Sequence, residues 1–299
     1  VGGGKIDEAA RRQEVEQGIT WACATLNDLD VAAHHTHELE KVLTAAVENG
    51  FPKNTHETEQ LKLCVKSLTP VAESFKLASE NAIESLVSVL KPRIRNIVSD
   101  SVGIDGSGNT GFSSVMVGGH PTDRAAARMN YNLDDESQQL LEISEGYMSN
   151  MCACLDDLLL PLRLHLAPRL SDSLVLGVLG AACKRLEASI KKCMITRLGS
   201  LSLDSDMRSL LSYVKTKLDA SELTSNIALY RACTPLARLI QIAKLLNVDD
   251  LDDVIDIVTS SKRKGNWDLS LEDAKAFLSL RAEFEESRVN ELLRIPDTD

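Results

Sequence analysis

Apolar residues recur at steps of three or four along most of the chain, which is the spacing of one helix face. Over residues 6–48 this spacing predicts a single helix of roughly 65 Å. A second stripe over 56–99 predicts another helix, which Pro70 and Pro92 are expected to kink or split because each removes a backbone donor. The first third of the chain is therefore predicted to be helical.

Helical spacing resumes near Asp134. The run Leu174–Cys183 is apolar nearly all round, which predicts the most buried helix. Gly199 and Asp204 indicate a corner, with Gly199 left-handed at a helix end and Asp204 capping the next helix. Ser270 and Asp273 form a capping box, and Pro168 suits the first position of a helix. The later helices are predicted over 169–198, 205–218, 224–246, 249–260 and 271–294.

Periodicity is lost only over residues 100–133. Six of the 16 glycines lie between Gly103 and Gly119, so we predict a flexible loop or an interdomain linker there. The chain is then divided into a first helical bundle, residues 1–132, and a C-terminal helical bundle, residues 133–299. The predicted fold is all-α, an elongated rod of two stacked helical bundles.

Composition supports this fold class and narrows the partners. Hydrophobic residues make up 43% of the chain and aromatic residues only 4%, which suits helices better than sheets. The net charge of −11 disfavours nucleic acid, and it disfavours attraction to anionic membranes by charge alone. The seven cysteines have no disulfide-framework spacing, so we expect reduced thiols in the cytosol.

A search for chemistry finds no catalytic, cofactor or metal constellation. His34, His35 and His37 resemble a metal cluster, but only the first and third share a helix face. The loop Gly103–Gly111 lacks the Lys and the preceding strand of a phosphate loop. We therefore predict a protein that is not an enzyme and that binds no metal or cofactor.

Two charged stretches have a structural and a functional interpretation. The acidic run Asp249–Asp256 is typical of a solvated helix face, and as a functional alternative it would dock a basic segment of a partner. The basic turn Lys262–Lys264 beside Trp267 is typically solvated too, and the alternative is contact with an anionic headgroup or an acidic partner.

Arg238 lies on an apolar stripe, one turn from Ile242. A guanidinium in that position needs a carboxylate or carbonyl partner, because an unpaired charge there is costly. We predict a structural ion pair between Arg238 and Asp273, with Glu272 as the alternative acceptor. This pair would hold the last predicted helix against the helix that carries Arg238.

Several short segments carry a resemblance to a known family: Pro168, Asp172–Leu174, Arg197–Val214, Ala237–Leu239 and Leu280–Phe284. With these segments the chain resembles the C-terminal part of the fourth subunit of the conserved oligomeric Golgi complex, a vesicle tether of the helical-rod family. The resemblance runs from about residue 135 to 294 and is looser from 17 to 99.

This resemblance implies a non-enzymatic scaffold subunit of a multisubunit vesicle-tethering complex in retrograde intra-Golgi transport. The implied partners are the other subunits of the complex, SNAREs and a Sec1/Munc18-type protein. Membrane association would be peripheral, through the complex, on the cytosolic face of the Golgi. The alternatives are a subunit of another helical-rod tether, such as an exocyst-like complex, and a generic all-α adaptor.

Overall fold

Eleven α-helices lie in the part of the chain that the computed structural model describes: residues 3–51, 55–103, 129–136, 146–219, 223, 225–263 and 267–292. The β structure in these residues is one isolated parallel bridge, between Ile195 and Arg281. The all-α prediction is thus confirmed for the described residues. The helices are α1 (Gly3–Gly50), α2 (His56–Lys66), α3 (Leu68–Val102), α4 (Tyr147–Arg163), α5 (Pro168–Ile190), α6 (Arg197–Lys217), α7 (Asn226–Ala232), α8 (Thr234–Leu246), α9 (Asp252–Arg263), α10 (Leu271–Leu278) and α11 (Glu286–Leu292).

The chain packs into two compact units, each made of two stretches of sequence: Val1–Val89 with Leu159–Leu174, and Leu90–Leu158 with Val175–Asp299. The predicted division at residues 132/133 stays a prediction. Most of the glycine-rich segment behind it, residues 104–128, lies outside the described residues.

In the first unit, the side chain of Asn27 on α1 holds the turn between α4 and α5. Its Nδ2 donates to the His165 carbonyl at 2.8 Å, and its Oδ1 accepts the Ala167 N–H at 2.8 Å. Both halves of the amide are used, so the turn's backbone groups are satisfied without a helix. Pro168 then begins α5, which confirms its predicted place at the first helical position.

The apolar stripe that predicted α1 is only partly buried. Cys23 and Leu26, close to Asn27 in sequence, are almost fully covered. Val15, Leu39 and Val42 belong to the same stripe and remain exposed. The middle of α1 is therefore its best-packed part among the residues described.

In the second unit, α8 is the most enclosed helix. From Leu236 to Leu246, only Arg238 and Lys244 are not buried. The apolar run Leu174–Cys183 on α5 has four partly exposed positions, so the prediction that it forms the most buried helix is wrong. Across the described residues, no helix is both long enough and apolar enough to cross a bilayer.

Two of the predicted helices are interrupted by features that periodicity does not register. The predicted helix 224–246 is split at Cys233, whose φ of −134° and ψ of 79° are not helical, because Pro235 in the first turn of α8 lacks a backbone donor. The predicted helix 271–294 stops at Leu278. Beyond it, the Leu280 carbonyl accepts the Ile195 N–H at 2.8 Å, and this tertiary bond keeps the backbone out of the helix.

The predicted corner at Gly199 and Asp204 is wrong. α5 ends at Ile190, and Thr196 is the N-cap of α6, its side chain accepting the Gly199 N–H at 3.2 Å. Gly199 is therefore a helical residue of the first turn. Asp204 lies inside the same helix and pairs with Arg208 one turn later.

Gly199 is needed for a close approach rather than for a left-handed backbone. A β-carbon at this position would lie 1.7 Å from the carbonyl oxygen of Tyr131. The segment around Tyr131 is tied to the same helix start, because the Thr196 N–H donates to the Tyr131 carbonyl at 3.0 Å and the Leu133 N–H donates to Thr196 Oγ1 at 3.1 Å. Met129, Tyr131 and Leu133 are buried in alternation, so an extended segment lies across the start of α6.

Replacing Gly199 by Ala should lower the free energy of unfolding by about 2 kcal/mol or more, because backbone must move to admit the methyl group. The matched control is Gly180→Ala on α5, where the new β-carbon would lie 3.8 Å from Pro235 Cγ, an ordinary contact. That change should be neutral or stabilising, since Ala favours helix. Urea denaturation measures both, and equal effects at the two glycines would contradict the close approach.

Candidate functional site: an arginine ion-pair cluster

Arg238 brings a charge to the otherwise buried side of α8. Its side chain is only 22% exposed, and its neighbours Ala237, Leu239 and Ile242 are buried. A guanidinium in this setting needs partners for its fixed fork of donors, because the alternative is a desolvated, unmatched charge. The surroundings of Arg238 therefore select carboxylates and carbonyls.

The structure brings Arg238 and Asp273 together, with Nη2 3.2 Å from Asp273 Oδ2. The nearer partner is Glu187 on α5, which accepts from Nη2 at 2.8 Å and from Nε at 3.2 Å. The third nitrogen, Nη1, donates to the Asp268 carbonyl at 2.9 Å. Glu272, the alternative acceptor of the sequence prediction, is exposed. One guanidinium therefore joins α5, α8 and the start of α10.

A second cation, Lys191, contacts the same two carboxylates as Arg238. Lys191 Nζ lies 3.4 Å from Glu187 Oε1 and 3.5 Å from Asp273 Oδ1, and 5.1 Å from the centre of the Phe277 ring. The charges thus alternate around the cluster, two cations against two carboxylates. We call Glu187, Lys191, Arg238 and Asp273 the Arg238 cluster.

The segment that enters α10 is fixed by two further devices. Gln241 Nε2 donates to Asp268 Oδ2 at 3.1 Å, and the Asp268 N–H donates to Gln241 Oε1 at 2.9 Å. The Ser270 side chain accepts the Asp273 N–H at 3.0 Å, which confirms the predicted cap. Asp273 is therefore held in place before it meets Arg238, which reduces the entropy lost in forming the pair.

The electrostatics of the cluster follow from this geometry. Burial alone would raise the pKa of the Glu187 carboxyl, but the hydrogen bonds and charge of Arg238 outweigh it and the pKa is lowered. Asp273 behaves likewise, since Arg238 and Ser270 overcome partial burial and lower its pKa. The hydrogen bond with Glu187 raises the pKa of the Arg238 guanidinium. All three groups are charged at neutral pH.

Arg281 forms a second buried anchor, which periodicity did not reveal. Its side chain is 2% exposed, and Nη1 donates to the carbonyls of Leu246 and Val248 at the end of α8. Nε donates to Glu283 Oε2 at 3.1 Å, and Glu283 Oε1 accepts the Arg197 N–H, the first of α6, at 2.7 Å. The end of α8 and the start of α6 are thereby joined.

Two signals could have led to the residues that were missed. Glu187 stands four positions before Lys191 on a mostly apolar helix, a spacing at which opposite charges meet. Arg281 and Glu283 lie within Leu280–Phe284, a segment that carried the family resemblance. Neither signal states which distant residue completes the contact.

A polar group of a different kind, formed by two buried tyrosines and a partly buried carboxylate, lies at Asp206 on α6. The Tyr131 hydroxyl donates to Asp206 Oδ2 at 2.9 Å and lies 2.5 Å from the Tyr147 hydroxyl oxygen. Burial raises the pKa of Asp206 to about 6, against the opposing hydrogen bond from Tyr131. Burial thus makes the carboxylate form of Asp206 less favourable in the folded chain than it is in water.

The Arg238 cluster is suited to holding helices rather than to chemistry. Each guanidinium nitrogen already has an acceptor, and arginine keeps its proton at any physiological pH.

The histidines that resemble a metal cluster in the sequence lie on α1. The ring centres of His34 and His35 are 5.9 Å apart, and His37 Nδ1 lies 3.6 Å from Glu40 Oε2. In the described ranges, no group of three or more His, Cys, Asp or Glu side chains is placed to hold a metal ion.

The structure describes only part of the two charged stretches, the acidic run Asp249–Asp256 and the basic turn Lys262–Lys264. Asp249 pairs with Arg197 at 3.0 Å, and both side chains are largely exposed. The side chains of Lys262–Lys264 and most of the loop Gly103–Gly111 lie outside the described residues.

The fold and the cluster define an all-α protein in which internal ion pairs tie helices into a bundle. Residues 120–276 match the family model of the C-terminal region of the conserved oligomeric Golgi complex subunit 4. This match covers more than half of the chain, and the chain belongs to that family.

Curated relatives agree with this assignment. Proteins named conserved oligomeric Golgi complex subunit 4 are 25% identical over 286 residues in Drosophila melanogaster, 23% over 270 in Arabidopsis thaliana and 22% over 293 in Homo sapiens. These alignments cover 94%, 90% and 97% of this chain, and 32%, 32% and 33% of the relatives. The chain thus spans about a third of the length of these relatives.

Replacing Arg238 by Ala should lower the free energy of unfolding by about 3 kcal/mol, because it leaves Glu187 with less compensation. Double-mutant cycles should give a larger coupling energy with Glu187→Gln than with Asp273→Asn, since Glu187 is held by two bonds and is less exposed. Urea denaturation of the single and double variants measures the free energies of unfolding from which the coupling energies are calculated. As a control, Arg208→Ala removes a 79% exposed partner of Asp204 and should lose under about 1 kcal/mol. Additive losses in both cycles would contradict the cluster.

The carboxyl of Asp206 should make stability fall as pH rises. Its folded pKa of about 6 lies above its ordinary value of 3.8, so the stabilisation is complete below about pH 4 and lost through pH 6. Asp206→Asn keeps an acceptor for Tyr131 and removes the titration. Relative to this variant, the native chain should lose about 2 kcal/mol between pH 4 and 7.

The variant comparison is needed because other carboxyls act in the opposite direction. The pKa values of Glu187, Asp273 and Glu283 are lowered, so their contribution is lost as pH falls. These groups are present in both proteins and cancel in the difference. A difference in unfolding free energy that does not change with pH would contradict the assignment to Asp206.

Proposed function

We propose that the chain is part of a non-enzymatic subunit of a multisubunit vesicle-tethering complex that acts in retrograde intra-Golgi transport. In this role it is a scaffold for partner subunits and for the SNARE-fusion machinery. The observation that carries the proposal is membership of the family, through the match over residues 120–276. The elongated rod of two stacked bundles that we predict from the sequence is part of the same proposal.

The chemistry of the described residues supports a structural role. The charged side chains of Arg238 and Arg281 are turned to carboxylates and to helix-end carbonyls of the same chain. Groups used in this way fix the positions of helices and leave the outer surface for partners. A scaffold needs this stiffness, because it must present several binding surfaces in a constant relation.

The partners we propose are the other subunits of the Golgi tethering complex, SNAREs and a Sec1/Munc18-type protein. The acidic chain, with its net charge of −11, gives no reason to include nucleic acid. We propose that membrane association is peripheral, through the assembled complex, on the cytosolic face of the Golgi.

Affinity purification of the tagged chain from a cell lysate, followed by quantitative mass spectrometry, tests the proposal. We expect enrichment of Golgi tether subunits over exocyst subunits. Purified SNAREs and Sec1/Munc18-type protein, added separately to the immobilised chain, test the second group of partners. Enrichment of exocyst subunits instead would assign the chain to another helical-rod tether, and no enrichment of either by a folded chain would overturn the scaffold role of this region.

Two variants test whether partner recovery depends on the packing of α5, α8 and α10. Arg238→Ala should reduce the recovery of partner subunits, because the packing of α5, α8 and α10 that presents the surface is weakened. Arg208→Ala, a change of the same kind at an arginine whose side chain is exposed, should not alter recovery. Equal recovery with both variants would place the partner surface outside this bundle.

A further inference from the structure

A basic groove lies on α3 in the second unit. Lys91, Pro92, Arg95, Asn96 and Ser99 line an open-sided cavity of about 420 Å³. Lys91 and Arg95 are four residues apart and both are exposed, so their charges stand on one helix face at a rise of about 6 Å. Ser99, one further turn along, is buried.

Arg185 on α5 brings another cation to the Ser99 end of this groove. Its Nη2 donates to Ser99 Oγ at 3.2 Å, and its Nε is buried and has no hydrogen-bond partner among the described residues. A buried donor left without an acceptor is unfavourable. Arg185 is not itself part of the lining, but its guanidinium places a positive charge behind the Ser99 end of the groove, which favours an anionic ligand there.

The lining of the groove is unusual for this chain. Acidic residues outnumber basic ones by 44 to 33 overall, yet the described lining contains two cations, an amide and a hydroxyl and no carboxylate. Along the two helices the nearest acids are Asp100, an exposed residue outside the lining, and Glu187, which is paired with Arg238. A lining with this composition repels cations and offers hydrogen bonds to carboxylate oxygens.

We propose that this α3 groove, lined by Lys91, Arg95, Asn96 and Ser99 and with Arg185 behind its Ser99 end, binds an acidic segment of a partner protein in extended conformation. In an extended chain, alternate side chains lie on one side about 6.6 Å apart. This spacing matches the one-turn steps along α3. A segment with acidic residues at every second position therefore places successive carboxylates at Lys91, at Arg95 and at the Ser99 end, where Arg185 lies.

The short distance over which charges attract one another in salt solution favours a protein segment over an anionic membrane as the ligand. At physiological salt, charges are screened beyond about 8 Å, so a short segment in the groove experiences mainly the local cations. A bilayer is an extended surface and faces much more of a chain whose net charge is −11. The groove proposal rests on this local geometry and is independent of the proposed Golgi role.

Fluorescence anisotropy of a labelled peptide with three alternating Glu residues, titrated with the full chain, tests the groove. The matched peptide with Gln in place of Glu should bind at least about tenfold more weakly, and raising the salt should weaken binding of the Glu peptide. Arg95→Glu should reduce affinity by about tenfold or more. Arg93→Glu changes the same charge two residues away on α3, at an exposed position outside the groove lining, and should stay within about twofold.

The outcomes separate the alternatives. Equal losses for Arg93→Glu and Arg95→Glu would overturn the groove in favour of general attraction. Binding to phosphatidylserine vesicles that depends on Arg95, without peptide binding, would overturn it in favour of a membrane site. If Arg95→Glu alters the circular dichroism spectrum, Arg95→Gln replaces it, and an unchanged affinity for the Glu peptide would then overturn the proposal.

Discussion

A guanidinium that is mostly covered by apolar side chains has to be matched by carboxylates, and this constraint decides how α5, α8 and α10 meet. Glu187 supplies two bonds to Arg238, Asp273 supplies one, and the Asp268 carbonyl completes the fork. Because the acceptors come from α5 and from the segment that begins α10, the contacts of this one side chain are satisfied only when both are in place around α8. Apolar burial provides the larger driving force for the bundle, and the ion pairs select one arrangement of it.

The same physical rule acts where helices begin and end. Arg281 covers carbonyls at the end of α8, and Glu283 accepts the first N–H of α6. Thr196 caps α6 and also holds the extended segment at Tyr131. Helix ends carry backbone groups with no partner in their own helix, so a bundle of many short helices needs such contacts. In the second unit, partners for these backbone groups are supplied by tertiary contacts as much as by local caps.

This use of charge bears on function. In the second unit, Arg238 and Arg281 are engaged by carboxylates of the same chain, at Glu187, Asp273 and Glu283, and the chain as a whole is acidic. The groove on α3 differs from these two sites in composition, since its described lining holds cations and no carboxylate. A scaffold with a stiff interior and a small number of distinct surface features can present separate sites to separate partners. Family membership identifies the kind of complex, and these features give it candidate surfaces.

The sequence by itself determined the helical class, the start of α5 at Pro168, the cap at Ser270 and the family, because periodicity, proline and capping are local properties. It also indicated that Arg238 needs an acid. Only the tertiary structure decided that Glu187, 51 residues away, is the main partner, that Gly199 makes room for the Tyr131 carbonyl, and that the bridge at Ile195 ends the predicted last helix. The physical reason is the sequence distance over which each signal acts. Hydrophobic periodicity is local and records which face of a helix is covered. Ion pairs and close contacts between backbones involve segments that meet only after folding.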